Sequence, residues 1–298
     1  MWFPRQGTGI IIPVSHSNKP SAYLRAAAAQ LTSVPGDVSA NAAAGAVSAK
    51  TAANGGADVV VYPELFLPGY HPPSLGDDRI ATDIVVGEDK TVRDPRLDPL
   101  RHAAQLHHVA LLVGASVLWR GDRYIATLAV DSRGSITDVY HKQNLCGDHE
   151  RELFTYGDTS TSLIVNGWRL GLGICYDATF PEHARAAAVS GCHAYVSSGA
   201  FVAGGEHRCD LYHAARALDN TFYVVFSGAV AGSDPWAFGG GSAIYDPEGQ
   251  VCDRISSAAT GVAIADLEAE RLERTRADHT MLADLRADLG ERKTIDIA

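Results

Sequence analysis

What this sequence lacks narrows the field before any motif is read. Its 298 residues hold five cysteines, at positions 146, 175, 192, 209 and 252, with no C-x-x-C pair and no zinc-type spacing. An odd number in that pattern points to neither a disulfide framework nor a structural metal, and fits reduced thiols in a cytoplasmic protein. No G-x-S-x-G occurs, which removes a serine-hydrolase elbow. The glycine-rich run at 239–242 lacks the lysine of a phosphate-binding loop and reads as a close approach of backbone. Basic charge is scarce: 25 Lys and Arg against 35 Asp and Glu give a formal net charge of -10. That balance argues against nucleic acid or an anionic membrane surface as partner and leaves a small neutral or cationic molecule. Long apolar runs are missing too, since the N-terminal patch GIIIPV is broken by proline and falls short of a signal peptide or a span.

What is present is the apolar content of an ordinary globular enzyme, 46% hydrophobic and 20% charged, in β-rich runs that alternate with helical stretches. Runs at 58–64, 109–118, 124–132, 136–142, 168–176, 193–198, 222–230, 241–246 and 261–267 read as strands. One helix is expected after Asp37 as N-cap, running to the Gly55-Gly56 stop, and another from Pro181 to Gly191. YLRAAAAQL (23–31) sets alanine's helix propensity against a place at the head of a βα pattern, and position decides for a strand. RGDR at 120–123 and NGWR at 166–169 look like hairpin turns, which makes the sheet mixed. The charge-rich stretch near 268–290 reads as a solvated or subunit-contacting helix. With no repeat or polar linker, residues 22–298 read as one α/β domain preceded by a loose arm over residues 1–21.

Three strand runs end on a reactive side chain: Glu64, Lys142 and Cys175. Singly, each has a bland reading, as a solvated acid, a surface lysine and a small core hydrophobe. In open α/β sheets ligands gather outside the carboxyl ends of strands, so one site explains all three better than three coincidences. The best metal candidate, Glu206, His207, Cys209 and His213, reads instead as a helix start with mixed polar groups. His102, His107 and His108 suit an exposed helix end, and Arg216 with Asn220 suits a brace one helical turn long.

Arranged along the chain, GADVVVYPELFLPGY, YHKQNLCGDHERELFTYGD, LGLGICYDATFPE, HAARALDNTFYVVFSG and GGSAIYDPEGQV resemble the ordered motifs of the nitrilase, or carbon-nitrogen hydrolase, superfamily, from about residue 22 to about residue 290. Each motif alone is moderately specific; the order and spacing make them strong together. The resemblance implies a four-layer αββα sandwich, pairing into a homodimer or higher homo-oligomer, with no cofactor and no metal. It implies a catalytic set of Glu64, Lys142 and Cys175, with Glu150, chosen over Glu152 by counting back from Gly157-Asp158, as a further active-site acid. Two departures stand out. Tyr156 replaces a common proline, and the N-terminal arm has no counterpart.

The chemistry expected of such a set is concrete. A thiol of pKa about 8.5 is mostly protonated at neutral pH, so Glu64 takes its proton and later protonates departing ammonia. Lys142 and a backbone N–H, that of Tyr176, hold the oxyanion. Collapse leaves a thioester on Cys175 that water hydrolyses, while Glu150 orients substrate or water and holds Lys142. The Tyr176-Asp177 pair after the cysteine resembles the amidase and carbamoylase side of the family, so hydrolysis of a small linear amide is expected, with an N-carbamoyl amine or amino-acid amidohydrolase as the alternative. A true nitrilase and an inactive binding protein rank below both. For substrate binding the candidates are Asp177, which suits an amine-bearing amide, Trp236 and Phe238 as an apolar wall, and Arg208, which suits a substrate carboxylate. The bland readings are an Arg208 pair with Glu206 and two aromatics in the core or at a subunit interface.

Overall fold

The computed structural model describes residues 20–297 apart from 257, 287 and 289, so the expected N-terminal arm lies, up to residue 19, outside the described residues. Ser21 is already tied down, donating its N–H to Asn166 and accepting from the Trp168 indole.

The strands are β1 (Tyr23–Gln30), β2 (Val59–Val61), β3 (Asp83–Val85), β4 (Ala110–Trp119), β5 (Asp122–Val130), β6 (Ile136–His141), β7 (Ser162–Val165) and β8 (Trp168–Ile174). They continue as β9 (Ala194–Gly199), β10 (Tyr223–Gly228), β11 (Val230–Ala231), β12 (Phe238–Gly239), β13 (Ala243–Tyr245), β14 (Val251–Arg254) and β15 (Gly261–Glu268). The α-helices are α1 (Val38–Asn54), α2 (Pro72–Asp77), α3 (Arg79–Thr82), α4 (Asp98–His107), α5 (Gly147–Leu153), α6 (Pro181–Val189), α7 (Glu206–Asn220) and α8 (Ala269–Asp278).

Two mixed sheets form the centre, one ordered β15-β1-β2-β4-β5-β6 with β3 also on β4, the other β14-β13-β10-β9-β8-β7, beside a small β11-β12 ribbon. Helices α1 and α4 cover the outer face of the first sheet, where Ala27, Ala29, Val60 and Leu111 meet Ala42, Ala49 and Leu100. Helices α6 and α7 cover the second, giving the four-layer αββα arrangement expected.

Tertiary burial explains why β1 is a strand. Ala26 and Ala28 face the core between the sheets while Ala27 and Ala29 face α1, all fully buried or nearly so. Helix propensity differs by less than about 1 kcal/mol per residue, which packing on both faces outweighs. Asp37 caps α1 by accepting the Ala40 N–H at 2.9 Å. Both expected hairpins form, with positive φ at Arg120 and Gly121 and at Asn166 and Gly167, the backbone of a tight two-residue turn.

Two expectations need correcting. The strand expected over 58–64 stops at Val61, because the chain turns at Pro63, which has no N–H for a ladder. Among the described residues the charge-rich C-terminal stretch is helical only over Ala269–Asp278, where Leu272 and Thr275 are buried.

Candidate active site

Three of the groups, Glu64, Lys142 and Cys175, are set by local backbone. Tyr62 N–H bonds Leu112 of β4, and Leu67 N–H bonds Gly114, so the 62–67 turn lies flat on that strand. A Cβ at Gly114 would sit 2.0 Å from the Pro63 carbonyl oxygen; only glycine lets the Glu64 turn in. Lys142 leaves β6 held at both ends, its N–H on Ile125 and its carbonyl accepting from Gly157 N–H, each at 2.8 Å. Cys175 follows β8 with φ 48°, a left-handed conformation that a side chain adopts only under constraint, at the start of a short 3₁₀ turn.

The structure brings these groups together out of water. Lys142 is fully buried and Glu64 and Glu150 are each 1% exposed. The ammonium donates to Glu64 Oε1 at 2.6 Å and to both oxygens of Glu150 at 2.8 Å. Glu150 also accepts the Cys146 N–H at 2.7 Å and the Tyr70 hydroxyl at 2.6 Å. Glu152, two residues on and so on the opposite side of the helix, is exposed. Glu64 Oε2 is buried with no well-aligned hydrogen-bond partner, and the Cys175 thiol lies close enough to act on that carboxylate.

Electrostatics follow from that burial. Desolvation pushes the Glu64 carboxyl up to about 7; the Lys142 charge opposes the rise and the Glu150 charge adds to it. Burial works against the charge on Lys142, but Glu64, Cys175 and Glu150 together raise its pKa above the ordinary value and keep it charged. The Cys175 thiol is pushed well up, first by desolvation and then by Glu64, with Lys142 and an Ala200 N–H acting in the other direction. The resting pair is therefore a thiol beside a carboxylate whose basicity has been raised.

Asp177 has a different post from the substrate contact expected of it. It is fully buried, and its carboxylate accepts from Ile174 N–H at 2.9 Å, Asn144 N–H at 2.8 Å, Asn144 Nδ2 at 2.9 Å and Tyr140 at 2.8 Å. All four bonds pin the Cys175 turn and the Lys142 loop to each other. Arg216 braces the far end of the turn, donating to the carbonyls of Ala178 at 2.9 Å and Thr179 at 3.0 Å, and Asn220 bonds back to Arg216. The Tyr176 ring packs edge-on against Phe180, while its N–H belongs to the first helical positions, which have no intrahelical partner.

A cavity of about 260 Å³ opens above Glu64, and Trp236 and Phe238 line it together with Tyr70. Tyr70 packs against both rings, centroids 6.2 and 5.3 Å apart. Arg208 stands elsewhere: it is exposed on the first turn of α7, over the Tyr212 ring and bonded to its hydroxyl, and is not in the lining. Its expected pair with Glu206 does not form either, as Glu206 caps the Gly204 N–H. His213 is buried with Nδ1 on the Cys209 carbonyl at 2.8 Å and Nε2 on Ser197 at 3.1 Å.

Sequence reasoning missed Tyr70 and His149, whose side chains meet at 2.9 Å, and the buried chain Asp177–Tyr140–His183–Tyr195. For Tyr70 a signal existed, an aromatic directly after the Gly69 turn that follows Glu64. For the buried chain none did, because its members come from β6, the Cys175 turn, α6 and β9 and meet only when the sheets stack.

Comparison with known proteins supplies the family. A family model described as carbon-nitrogen hydrolase matches residues 25–277. An (R)-stereoselective amidase of a Pseudomonas species is 30% identical over 80% of this chain and 84% of its own. An omega-amidase of Mus musculus is 28% identical over 80% of this chain and 87% of its own. Among solved structures, a mutant of an amidase from a Nesterenkonia species in complex with butyramide superposes with a TM-score of 0.73 at 26% identity, covering 86% of this chain and 95% of that one. Another mutant of that amidase shows Michael addition of acrylamide at the active site cysteine, at 25% identity and a TM-score of 0.71 over 86% and 97% of the two chains. The chain belongs to the carbon-nitrogen hydrolase family, the nitrilase superfamily, and is an enzyme of its amidase branch.

Proposed function

We propose that this enzyme hydrolyses small linear amides to ammonia and a carboxylic acid through a thioester on Cys175. Glu64 takes the Sγ proton and the thiolate attacks the amide carbon. The oxyanion that forms is held by Lys142 Nζ and the Tyr176 N–H. As the carbon–nitrogen bond breaks, the proton on Glu64 passes to the departing nitrogen and ammonia leaves. A water then gives its proton to Glu64 and attacks the thioester; the carbon–sulfur bond breaks, the acid departs and the proton returns to Sγ. Glu150 holds the Lys142 ammonium in place, and Asp177 is a positioning residue for the Cys175 turn.

The observation that carries this reading is the Glu64 carboxylate itself. One oxygen is fixed by Lys142 at 2.6 Å, the other is buried and unpartnered, and the Cys175 thiol acts on the carboxyl as a whole. An acid kept from water at a pKa of about 7 is matched to moving a proton both ways at neutral pH. The Nesterenkonia amidase structures with butyramide and with acrylamide on its cysteine support the same reading. A mass shift equal to an acyl group on Cys175 after quenched turnover, absent in Cys175→Ala, is the expected result; turnover without any adduct removes the thioester.

We further place this chemistry in one domain from about residue 22 onward, in a cytoplasmic enzyme that associates with copies of itself. Free thiols at all five cysteines support the compartment, and exposed Val189, Leu211 and Leu218 on the adjacent helices α6 and α7 support the self-association.

A further inference from the structure

Resting on the amidase reading above, we infer that the cavity selects neutral amides with an apolar acyl chain and turns away amides that carry a carboxylate. The walls give the first argument. Tyr70, Trp236 and Phe238 stand with Pro35 and Val230 around the space above Glu64, and the His149 ring backs Trp236 at a centroid distance of 4.9 Å. Three rings facing one cavity offer an acyl chain apolar surface and offer a charge nothing.

Charge gives the second. Among the described residues no lysine or arginine lines the cavity. The nearest ammonium, Lys142, is already shared between Glu64 and Glu150. His71 is turned to its own helix, where Nδ1 accepts the Ser74 N–H and meets the Ser74 hydroxyl at 2.8 Å. The remaining polar lining, Ser33 and Ser233, can hydrogen-bond a carboxylate but cannot balance it. A substrate carboxylate would enter a site whose open charge is the Glu64 carboxylate, at the full desolvation penalty.

The wall is also fixed in advance. Phe238 pairs with Ala231 in the β11-β12 ribbon and bridges to Val202, while Ala203 N–H and Gly239 N–H bond the Ala237 and Phe201 carbonyls. Trp236 is held by its N–H on the Ser233 carbonyl at 2.8 Å, in a turn so tight that a Cβ at Gly232 would lie 2.2 Å from the Trp236 carbonyl oxygen. Rings placed this way need no ordering when substrate arrives.

The test is a series of acetamide, propionamide, butyramide, pentanamide and phenylacetamide, set against succinamate and glutaramate, assayed for ammonia. Expected is a kcat/KM that climbs about 4-fold for each added methylene until the cavity fills, the fold-change equivalent of burying one such group. The carboxylate-bearing amides should run on the order of 100-fold below the neutral amide of matching length. Trp236→Ala and Phe238→Ala should flatten the climb. Ser233→Arg, which supplies a counter-charge, should raise succinamate relative to butyramide at least about tenfold. A preference for succinamate or glutaramate in the unmodified enzyme overturns the inference, as does a flat response to chain length, and a carboxylate preference that disappears in Arg208→Ala assigns that role to Arg208. Calorimetric binding to Cys175→Ala separates this from failure of the amidase reading. If no amide is turned over yet phenylacetamide still binds and glutaramate does not, the reaction is misassigned and the pocket stands; glutaramate binding as tightly as phenylacetamide sinks the pocket.

Discussion

The buried floor, of which Glu64 lines the cavity, and the aromatic rim are built by different means. The floor, Glu64, Lys142, Cys175 and Glu150, hangs from strand ends and a short helix, and each side chain is locked by several hydrogen bonds or ion pairs at 2.6–2.8 Å or by a constrained backbone. The rim, Tyr70, Trp236 and Phe238, rides on a turn and a two-stranded ribbon and is held by ring contacts at 5.3–6.2 Å. Displacing a charged group in the floor leaves another charge buried and unpaired, whereas displacing the Trp236 or Phe238 ring removes mainly apolar area; Tyr70, bonded to Glu150, joins the two. The floor therefore tolerates almost no change, and the rim is where related enzymes can diverge in substrate.

That contrast can be broken most directly at the nucleophile. Cys175→Ala should abolish turnover and leave the fold intact, since a small residue replaces a small one, while Cys146, Cys192, Cys209 and Cys252 should each be dispensable for chemistry. Ammonia release and a thermal melt check both halves, and residual amidase activity above a trace would place the nucleophile elsewhere. Lys142→Ala comes next. Loss of one oxyanion donor lowers turnover by roughly 10²–10³, and here two carboxylates also lose their counter-ion, so kcat should fall at least that far. A near-normal rate would remove Lys142 from the reaction.

Legibility in the sequence follows the same division. Glu64, Lys142 and Cys175 could be found because each ends a β-rich run of the sequence, a one-dimensional signal that survives without coordinates. Glu150 needed the family resemblance, as nothing in the run from His149 to Glu152 alone separates it from Glu152; burial does so in the structure. Trp236 and Phe238 could be named as aromatics but not placed, because the ribbon that carries them has two-residue strands. Arg208 drew attention as a charge near the right motif, and only the direction of α7 shows that it faces away. Asp177 read as a possible ligand because proximity in sequence to a nucleophile does not reveal which way a carboxylate points. The αββα layering followed from the alternation of strands and helices together with the resemblance; the brief strands β3, β11, β12 and β14 are too short for any periodicity.

Asp177→Asn probes the support beneath the floor and should have a middling effect. The asparagine oxygen can replace one side of the carboxylate toward Asn144, but its NH₂ then faces the Ile174 N–H, a donor against a donor. Leaving one buried donor unmet costs about 1–3 kcal/mol of stability, and a loosened Cys175 turn should lower kcat by on the order of tenfold with KM little changed. Iodoacetamide labelling of Cys175 should slow in parallel. If the melt drops and both kcat and labelling hold, Asp177 is a fold residue and not a positioning one.

The smallest effect is a displacement along the pH axis. Glu64 must be ionised to take the thiol proton, so kcat/KM should fall tenfold per unit below an acid limb near pH 7, the value to which burial has pushed it. The Glu150 charge is one reason the limb stands so high. Glu150→Gln removes that charge and leaves Lys142 paired with Glu64 alone; both changes favour the ionised form, so the limb should move to lower pH. Glu150→Asp keeps the charge and should leave the limb in place. A group at its pKa is half ionised already, so the shift by itself raises the rate at neutral pH by at most about twofold; the position of the limb is the readout, not its height. Stability carries the same sign. Folded Glu64 holds a proton that an unfolded chain loses near 4.5, so its contribution to stability falls as pH rises from 4.5 to about 7. Glu150→Gln should shrink that fall in a pH series of melts, and an acid limb indifferent to Glu150 would mean that a group other than Glu64 is the base.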